Sequence, residues 1–307
     1  MSSDNIIDPS KYGVSFSIKQ CRNFEIRPIE TLTWLADEAG FKRFRLMSYW
    51  NEHEKLQGEY DFKELDRQFR IVEKYGGVIT LAVGARQPRW PENHWPDWAW
   101  QLTKVERTEA LLKYVEVVVN RYKDSPALVS YQLENEALLE DFGEKPEIDR
   151  RRLQDEFKLI KAIDPNKPVI MTTSTSWGIP FRQPIPDIVG FSFYHTLFHK
   201  GAYTQSNFYP WTHRLRKALI KILHRKKTFI HELQCEPWGP TAIWKMDISE
   251  QNKSMSPAHI KENIRLARAI KAPPIDFWGG EWWYWRLKSQ KDPTIWQTVD
   301  AEIRRNI

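Results

Sequence analysis

Eight short β-rich runs divide this chain, at residues 12–18, 43–49, 78–83, 128–133, 169–173, 188–193, 228–233 and 275–282. Six of the stretches between them, 30–39, 62–75, 109–122, 150–163, 211–224 and 257–270, repeat apolar residues at three- and four-residue spacing, the period of a helix with one buried face. Connections of that length join parallel strands, because antiparallel neighbours need only a tight hairpin. Eight such units, with no Pro/Ser/Gly-rich linker between them, suit a closed barrel better than an open sheet. No Gly-x-Gly-x-x-Gly follows the first strand, which removes the usual dinucleotide reading. The expected fold class is α/β, a single (β/α)8 TIM barrel forming one catalytic domain over residues 1–307. Pro28 before the first helix, Gly40 after it and Asp164-Pro165 before the fifth strand are the stop and start signals such units need.

Composition narrows the function classes. The net charge of +6 invites a polyanionic partner, but the Lys and Arg are spread along helical stretches such as 214–227 and 265–271. With no binding motif beside them they read as a solvated basic face, and no nucleic-acid partner is expected. Two cysteines, Cys21 and Cys235, make neither a disulfide framework nor a zinc site, and the histidines 53, 94, 195, 199 and 231 match no His-Glu-x-x-His spacing. No metal and no cofactor is expected. Residues 1–10 are polar and no run of eighteen apolar residues occurs, so a soluble chain without a membrane segment is expected, cytoplasmic or secreted after loss of a leader. Nothing in the sequence asks for more than a monomer. The outlier is tryptophan: fifteen in 307 residues, flat rigid faces suited to stacking on sugar rings as well as to filling a core.

The chemistry sits at strand ends, where barrels of this kind place their catalytic groups. The fourth run delivers Glu134-Asn135-Glu136, and the seventh ends in His231-Glu232-Leu233. A single strand-end acid can be a structural salt bridge; two from opposite sides of one barrel mouth are the pair that glycosidic cleavage needs. One carboxyl protonates the leaving oxygen, and the other meets the anomeric carbon from the opposite side. At a separation of about 5–5.5 Å the second is a nucleophile and the outcome is retention. We assign Glu136 as acid/base and Glu232 as nucleophile. Arg45, at the inner end of the second strand, is expected to hold Glu232 ionised, with an ordinary buried ion pair as its alternative.

These residues together resemble clan A of the glycoside hydrolases: Asn135-Glu136 after an apolar strand, Glu232 ending strand seven, Arg45 in Phe44-Arg45-Leu46, and a Trp-rich strand eight. The resemblance runs from Tyr12 to Trp285. It implies that Asn135 bonds the sugar 2-hydroxyl and that Tyr194 bonds the nucleophile. Within the clan, residues 85–91 and Glu232-Leu233-Gln234 look like family forty-two β-galactosidases, while the ends of strands two and eight look more like family five cellulases and mannanases. Two departures stand out: Ala137 replaces the Pro that many members carry, and the chain stops soon after the barrel, without the galactosidase family's further domains.

By the same resemblance, strand eight should supply a platform tryptophan, assigned to Trp282, with Glu281 binding a hydroxyl; a one-residue bulge would exchange Trp282 for Trp283. Arg86, Trp50, Trp90 and Trp238 complete the expected substrate-binding set, with Trp95 and Trp98 as further candidates for the cleft wall. Loop packing is the alternative for each. Glu236 and Asp141 read equally as subsite acids and as solvated loop acids. The expected activity is hydrolysis of a β-linked oligosaccharide or polysaccharide by double displacement. The competing readings are a transglycosylase or a non-hydrolytic carbohydrate-binding barrel. A barrel acting on phosphorylated metabolites lacks the Gly-rich phosphate loop it would need.

Overall fold

The computed structural model describes residues 6–140, 142–144, 147–176, 178–207 and 209–305. Eight parallel strands close into a barrel: β1 (Tyr12–Ser15), β2 (Arg43–Met47), β3 (Val78–Val83), β4 (Leu128–Leu133), β5 (Val169–Thr173), β6 (Ile188–Phe193), β7 (Lys227–Gln234) and β8 (Ile275–Trp278). Each pairs with its neighbour in the chain, and β8 returns to β1 with Tyr12 opposite Ile275 and Val14 opposite Phe277. The fold is the (β/α)8 TIM barrel that the alternation indicates.

Local chemistry explains where the helices begin. Pro28 takes the first turn of Pro28–Ala36, where a missing N–H costs nothing. The helix expected from residue 109 starts five residues earlier, as Lys104–Tyr122, because Thr103 and Glu106 close a reciprocal capping box. Asp149 accepts from the Arg152 amide and opens Arg150–Ile163. The fifth connection departs from the pattern: among the described residues of 174–187 there is no helix, since Pro180, Pro184 and Pro186 each remove a backbone donor. The sixth carries an antiparallel hairpin, Thr196–His199 against Ala202–Gln205, ahead of the helix Pro210–His224.

The barrel interior is polar toward the catalytic end and arranged in layers. In the lower layer Asp276 bonds Arg43 Nε at 2.9 Å and His231 Nδ1 at 2.7 Å. Gly13 and Gly190 leave the room: a Cβ on Gly13 would lie 2.8 Å from the Arg43 side chain, and one on Gly190 would lie 2.8 Å from His231 Cβ. The upper layer is Ser15, Arg45, Gln132 and Glu232. His231 and Glu232 are consecutive, yet both reach partners inside the barrel. A bulge permits this, since the register slips by one residue between Phe191–Ile230 and Ser192–Glu232, and again against β8.

The eighth strand is shorter than its aromatic run. It stops at Trp278 because Gly279 adopts φ 136°, and the chain continues as the helix Gly280–Tyr284. A Cβ on Gly279 would lie 2.4 Å from the Cys235 carbonyl oxygen. Gly279→Ala is therefore expected to destabilise the fold by about 2–4 kcal/mol in urea unfolding, through backbone strain and a contact that backbone atoms cannot relieve. An unfolding midpoint equal to the parent's would contradict this account of the strand end.

Candidate active site

Glu232 is held by donors on both oxygens. Arg45 Nη2 donates to Oε2 at 2.6 Å, and the Tyr194 hydroxyl donates to Oε1. Arg45 is itself fixed by Ser15 Oγ at 2.8 Å and Gln132 Oε1 at 3.3 Å, and it is fully buried. A guanidinium with this many acceptors cannot swing away, so the strand-two cation stays against the strand-seven carboxylate.

The Glu134-Asn135-Glu136 segment sends three consecutive polar side chains three ways. Glu134 and Glu136 have left-handed backbones, φ 46° and 43°, which is uncommon for residues with a side chain. Glu134 turns away from the mouth to Arg152 (3.1 Å) and the Ala85 amide (3.2 Å), so it is structural. Asn135 donates to Glu92 Oε2 at 3.0 Å and accepts from Gln132 Nε2 at 3.2 Å. Glu136 is placed by its own amide, which donates to Thr172 Oγ1 at 2.7 Å, and by Ser192 Oγ, which donates to its Oε1 at 2.6 Å. Burial first, and then the negative charge of Glu232, push the Glu136 carboxyl up to about 7; the Ser192 bond opposes them.

Both carboxyls line one open cleft of about 690 Å³ at the barrel mouth, together with Asn135, Tyr194, Trp90, Trp238, Trp244 and Trp278. Trp90 is 61% exposed on one wall, and Trp238 meets Tyr194 edge-on with ring centres 5.8 Å apart. The aromatic residue where strand eight ends is Trp278, not Trp282. Past Gly279 the helical period replaces the strand period, so Trp282 is 0% exposed and bonds Gln251, and Trp283 is buried on the Cys235 carbonyl. Glu281 is likewise buried, accepting from the Ser17 amide and from Arg89 Nη2 at 3.1 Å.

Two more expected contacts lie elsewhere. Trp50 is fully buried, stacked on Tyr114 at 5.4 Å and bonded to Glu54, in a cluster that also holds Trp95 and Trp98. Arg86 ties the β3 and β4 loops together by donating to the carbonyls of Leu139 (3.0 Å) and Phe142 (2.9 Å). The histidines do not converge: His231 pairs with Asp276, while His94 bonds the Gln87 and Arg89 carbonyls. Asp141 lies outside the described residues.

Two site residues were not singled out from the sequence. Arg89 forks onto Glu236, with Nη2 to Oε2 at 2.9 Å, and its guanidinium lies 4.0 Å over the Trp278 ring, fixing that ring's plane. Glu92 bonds Asn135 beside Glu136 and Glu232. The signal for both was the density of charge in Arg86-Gln87-Pro88-Arg89-Trp90-Pro91-Glu92 directly after strand three.

A parallel barrel that brings an Asn-Glu pair, a second glutamate and an arginine together over one aromatic cleft defines a clan A glycoside hydrolase. Residues 8–225 match the model of the cellulase family, glycosyl hydrolase family 5, and the chain belongs to that family; it is a glycosidase. Its fold is similar to GH5_18 from Streptomyces cattleya, solved in complex with GlcNAc (TM-score 0.65, 11% identity, 97% of this chain and 80% of that one). It is also similar to an exo-β-1,4-mannosidase from Opitutaceae bacterium strain TAV5 (0.59, 13%, 91% and 54%). A polyextremophilic β-galactosidase from the Antarctic haloarchaeon Halorubrum lacusprofundi is a further structural relative (0.55, 14%, 87% and 52%). The chain spans about half the length of these last two. No curated protein matches it. No helix among the described residues is long and apolar enough to cross a membrane.

The Arg45–Glu232 pair carries a test of its own. Arg45→Met leaves a carboxylate without its cation in the barrel interior and is expected to cost about 3–5 kcal/mol in chemical denaturation. Adding Glu232→Gln removes the stranded charge and should return a large part of that loss. A double variant no more stable than Arg45→Met would contradict the pairing.

Proposed function

We propose that this glycosidase hydrolyses β-glycosidic bonds in oligosaccharides or polysaccharides by double displacement with retention. The observation that carries the reading is the unequal environment of two carboxyls in one cleft. Glu232 accepts from Arg45 and Tyr194, whereas Glu136 is buried beside another carboxylate, has only the neutral Ser192 hydroxyl bonded to its carboxyl and is pushed up to about 7. In the first step Glu232 attacks the anomeric carbon while the Glu136 proton goes to the departing oxygen. In the second, Glu136, now ionised, takes a proton from water, and that water's oxygen displaces Glu232. Protein groups and water supply every atom of this cycle.

Trp278, held flat by Arg89, is the floor on which a sugar ring stacks, and Trp90, Trp238 and Trp244 extend the aromatic wall along the cleft. Asn135 reaches the same space from the residue before the acid, consistent with a contact to the sugar beside the bond that breaks. Of the residues assigned to substrate from sequence, Asn135, Tyr194, Trp90 and Trp238 line the cleft; Trp50, Arg86, Glu281 and Trp282 act behind it.

Incubation with soluble β-glucans, β-mannans, β-galactans and aryl β-glycosides tests the reading: new reducing ends are expected from at least one, and binding without hydrolysis across the panel would contradict it. The pH profile follows from the acid. Glu136 must carry its proton to cleave an unactivated bond, so kcat/KM is expected to fall as pH rises through about 7. Glu136→Ala acting on a p-nitrophenyl glycoside, whose leaving group needs no proton, should lose the part of the fall that Glu136 titration sets at about 7. An unchanged fall in this variant would assign it to another group.

A further inference from the structure

Glu92 is a third carboxyl in the cleft, and double displacement leaves it without a task. It sits in the loop after β3 with φ 70°, 4% exposed. The loop after β4 pins it, because a Cβ on Gly143 would lie 2.9 Å from Glu92 Cβ. Its backbone is tied at both ends, the amide to the Arg89 carbonyl at 2.7 Å and the carbonyl to the Gln87 amide at 2.9 Å. The charged and titratable groups that face it come from four strand ends: Glu136 after β4, Glu232 on β7, Arg86 after β3 and the Tyr49 hydroxyl after β2.

Only one of its oxygens is spoken for. Oε2 accepts from Asn135 Nδ2 at 3.0 Å, and among the described residues Oε1 has no hydrogen-bond partner, although the side chain lines the cleft. Burial, followed by the charges of Glu232 and Glu136, pushes the carboxyl up to about 8, against the Asn135 bond and Arg86. A carboxylic acid that accepts on Oε2 carries its proton on Oε1, and that proton points to the one space without protein partners.

We propose that Glu92 is a substrate-binding residue that donates from Oε1 to an oxygen of the sugar lying between Glu136 and Glu232, with Asn135 fixing the plane of its carboxyl group. The inference rests on the glycosidase reading for the position of the sugar. It assigns the glycon a hydroxyl or ring oxygen facing the β3 loop. It also makes sugar binding depend on a proton that catalysis does not consume: once Glu92 ionises, the donor is gone and a further negative charge faces the substrate.

The test measures binding rather than turnover. In Glu136→Gln the acid/base no longer titrates, and the Kd of methyl β-D-glucoside, β-D-galactoside and β-D-mannoside, whose unactivated leaving group this variant cannot expel, is followed by calorimetry from about pH 6 to about pH 9.5. The affinity of whichever glycoside binds is expected to weaken with rising pH, by about tenfold at the upper end, the decline setting in below the parent's value of about 8 because the Glu136 charge that helps raise Glu92 is gone. Adding Glu92→Gln, whose amide stays a donor at every pH, should keep the affinity at about pH 7 and abolish the decline. Adding Glu92→Ala should weaken binding about tenfold at about pH 7. A residue that only locks Asn135 would show no decline, because both charge states accept that bond. Affinity flat with pH in Glu136→Gln, the same decline with Glu92→Gln present, or no binding of any of the three overturns the proposal. Glycan turnover by the parent protein is scored separately: reducing ends with pH-independent binding sink Glu92 alone, and pH-dependent binding without reducing ends sinks the hydrolytic reading alone.

Discussion

The Arg45–Glu232 ion pair is the constraint around which the barrel mouth is organised. Two charges buried inside a barrel lose more hydration than their attraction returns unless the remaining donors and acceptors are also met. Here Ser15, Gln132 and Tyr194 meet them, so residues from β1, β2, β4, β7 and the end of β6 converge on one pair. The bulge in β7 is what makes the geometry possible. It turns His231 and Glu232, which a regular strand would face oppositely, to the same interior, one onto Asp276 and the other onto Arg45.

That arrangement sets the electrostatics of the acid. Glu136 stands near the Glu232 carboxylate, whose cation Arg45 is bonded to Glu232 and not to Glu136, and Glu136's own partner, Ser192, is neutral. The left-handed backbones at Glu134 and Glu136, each costing on the order of 1–3 kcal/mol, turn the first glutamate onto Arg152 and the second into the cleft across a single asparagine. The Arg152 contacts to Glu134 anchor the strained turn from below. Strain held at the site, supported by an ion pair behind it, keeps the acid in the cleft rather than folded onto the nearest cation.

Much of this was legible in the sequence, and the limits have physical causes. Strands β3, β4, β5 and β6 fall where their apolar runs end, because buried parallel strands are apolar throughout and their flanks are not. Glu136, Glu232 and Arg45 stood out in the sequence because polar residues ending apolar runs are costly without a task. Trp282 misled because a run of aromatics looks the same in a strand and in a helix; one positive-φ glycine leaves Trp278 as the ring of that run that lines the cleft. Trp50 and Trp90 are both loop tryptophans in the sequence, and only packing against Tyr114 separates the buried one from the exposed one. Arg86 and Arg89 are three residues apart in one motif; loop conformation turns the first to backbone carbonyls and the second onto the Trp278 face. Glu92 follows three residues further on; the charge density of that motif marks the segment, but only the contact with Asn135 across 43 positions brings this acid to the cleft.

The most direct measurement is mechanism-based trapping with 2-deoxy-2-fluoro-β-glycosyl fluorides of gluco, galacto and manno configuration. The fluorine slows both displacement steps, and the reactive leaving group lets the first outrun the second, so the sugar accumulates on the attacking side chain. The account predicts a mass increase of one fluorosugar, localised by peptide mapping to Glu232. A label on Glu136 or Glu92, or inactivation-free turnover with inversion at the anomeric centre, would contradict it.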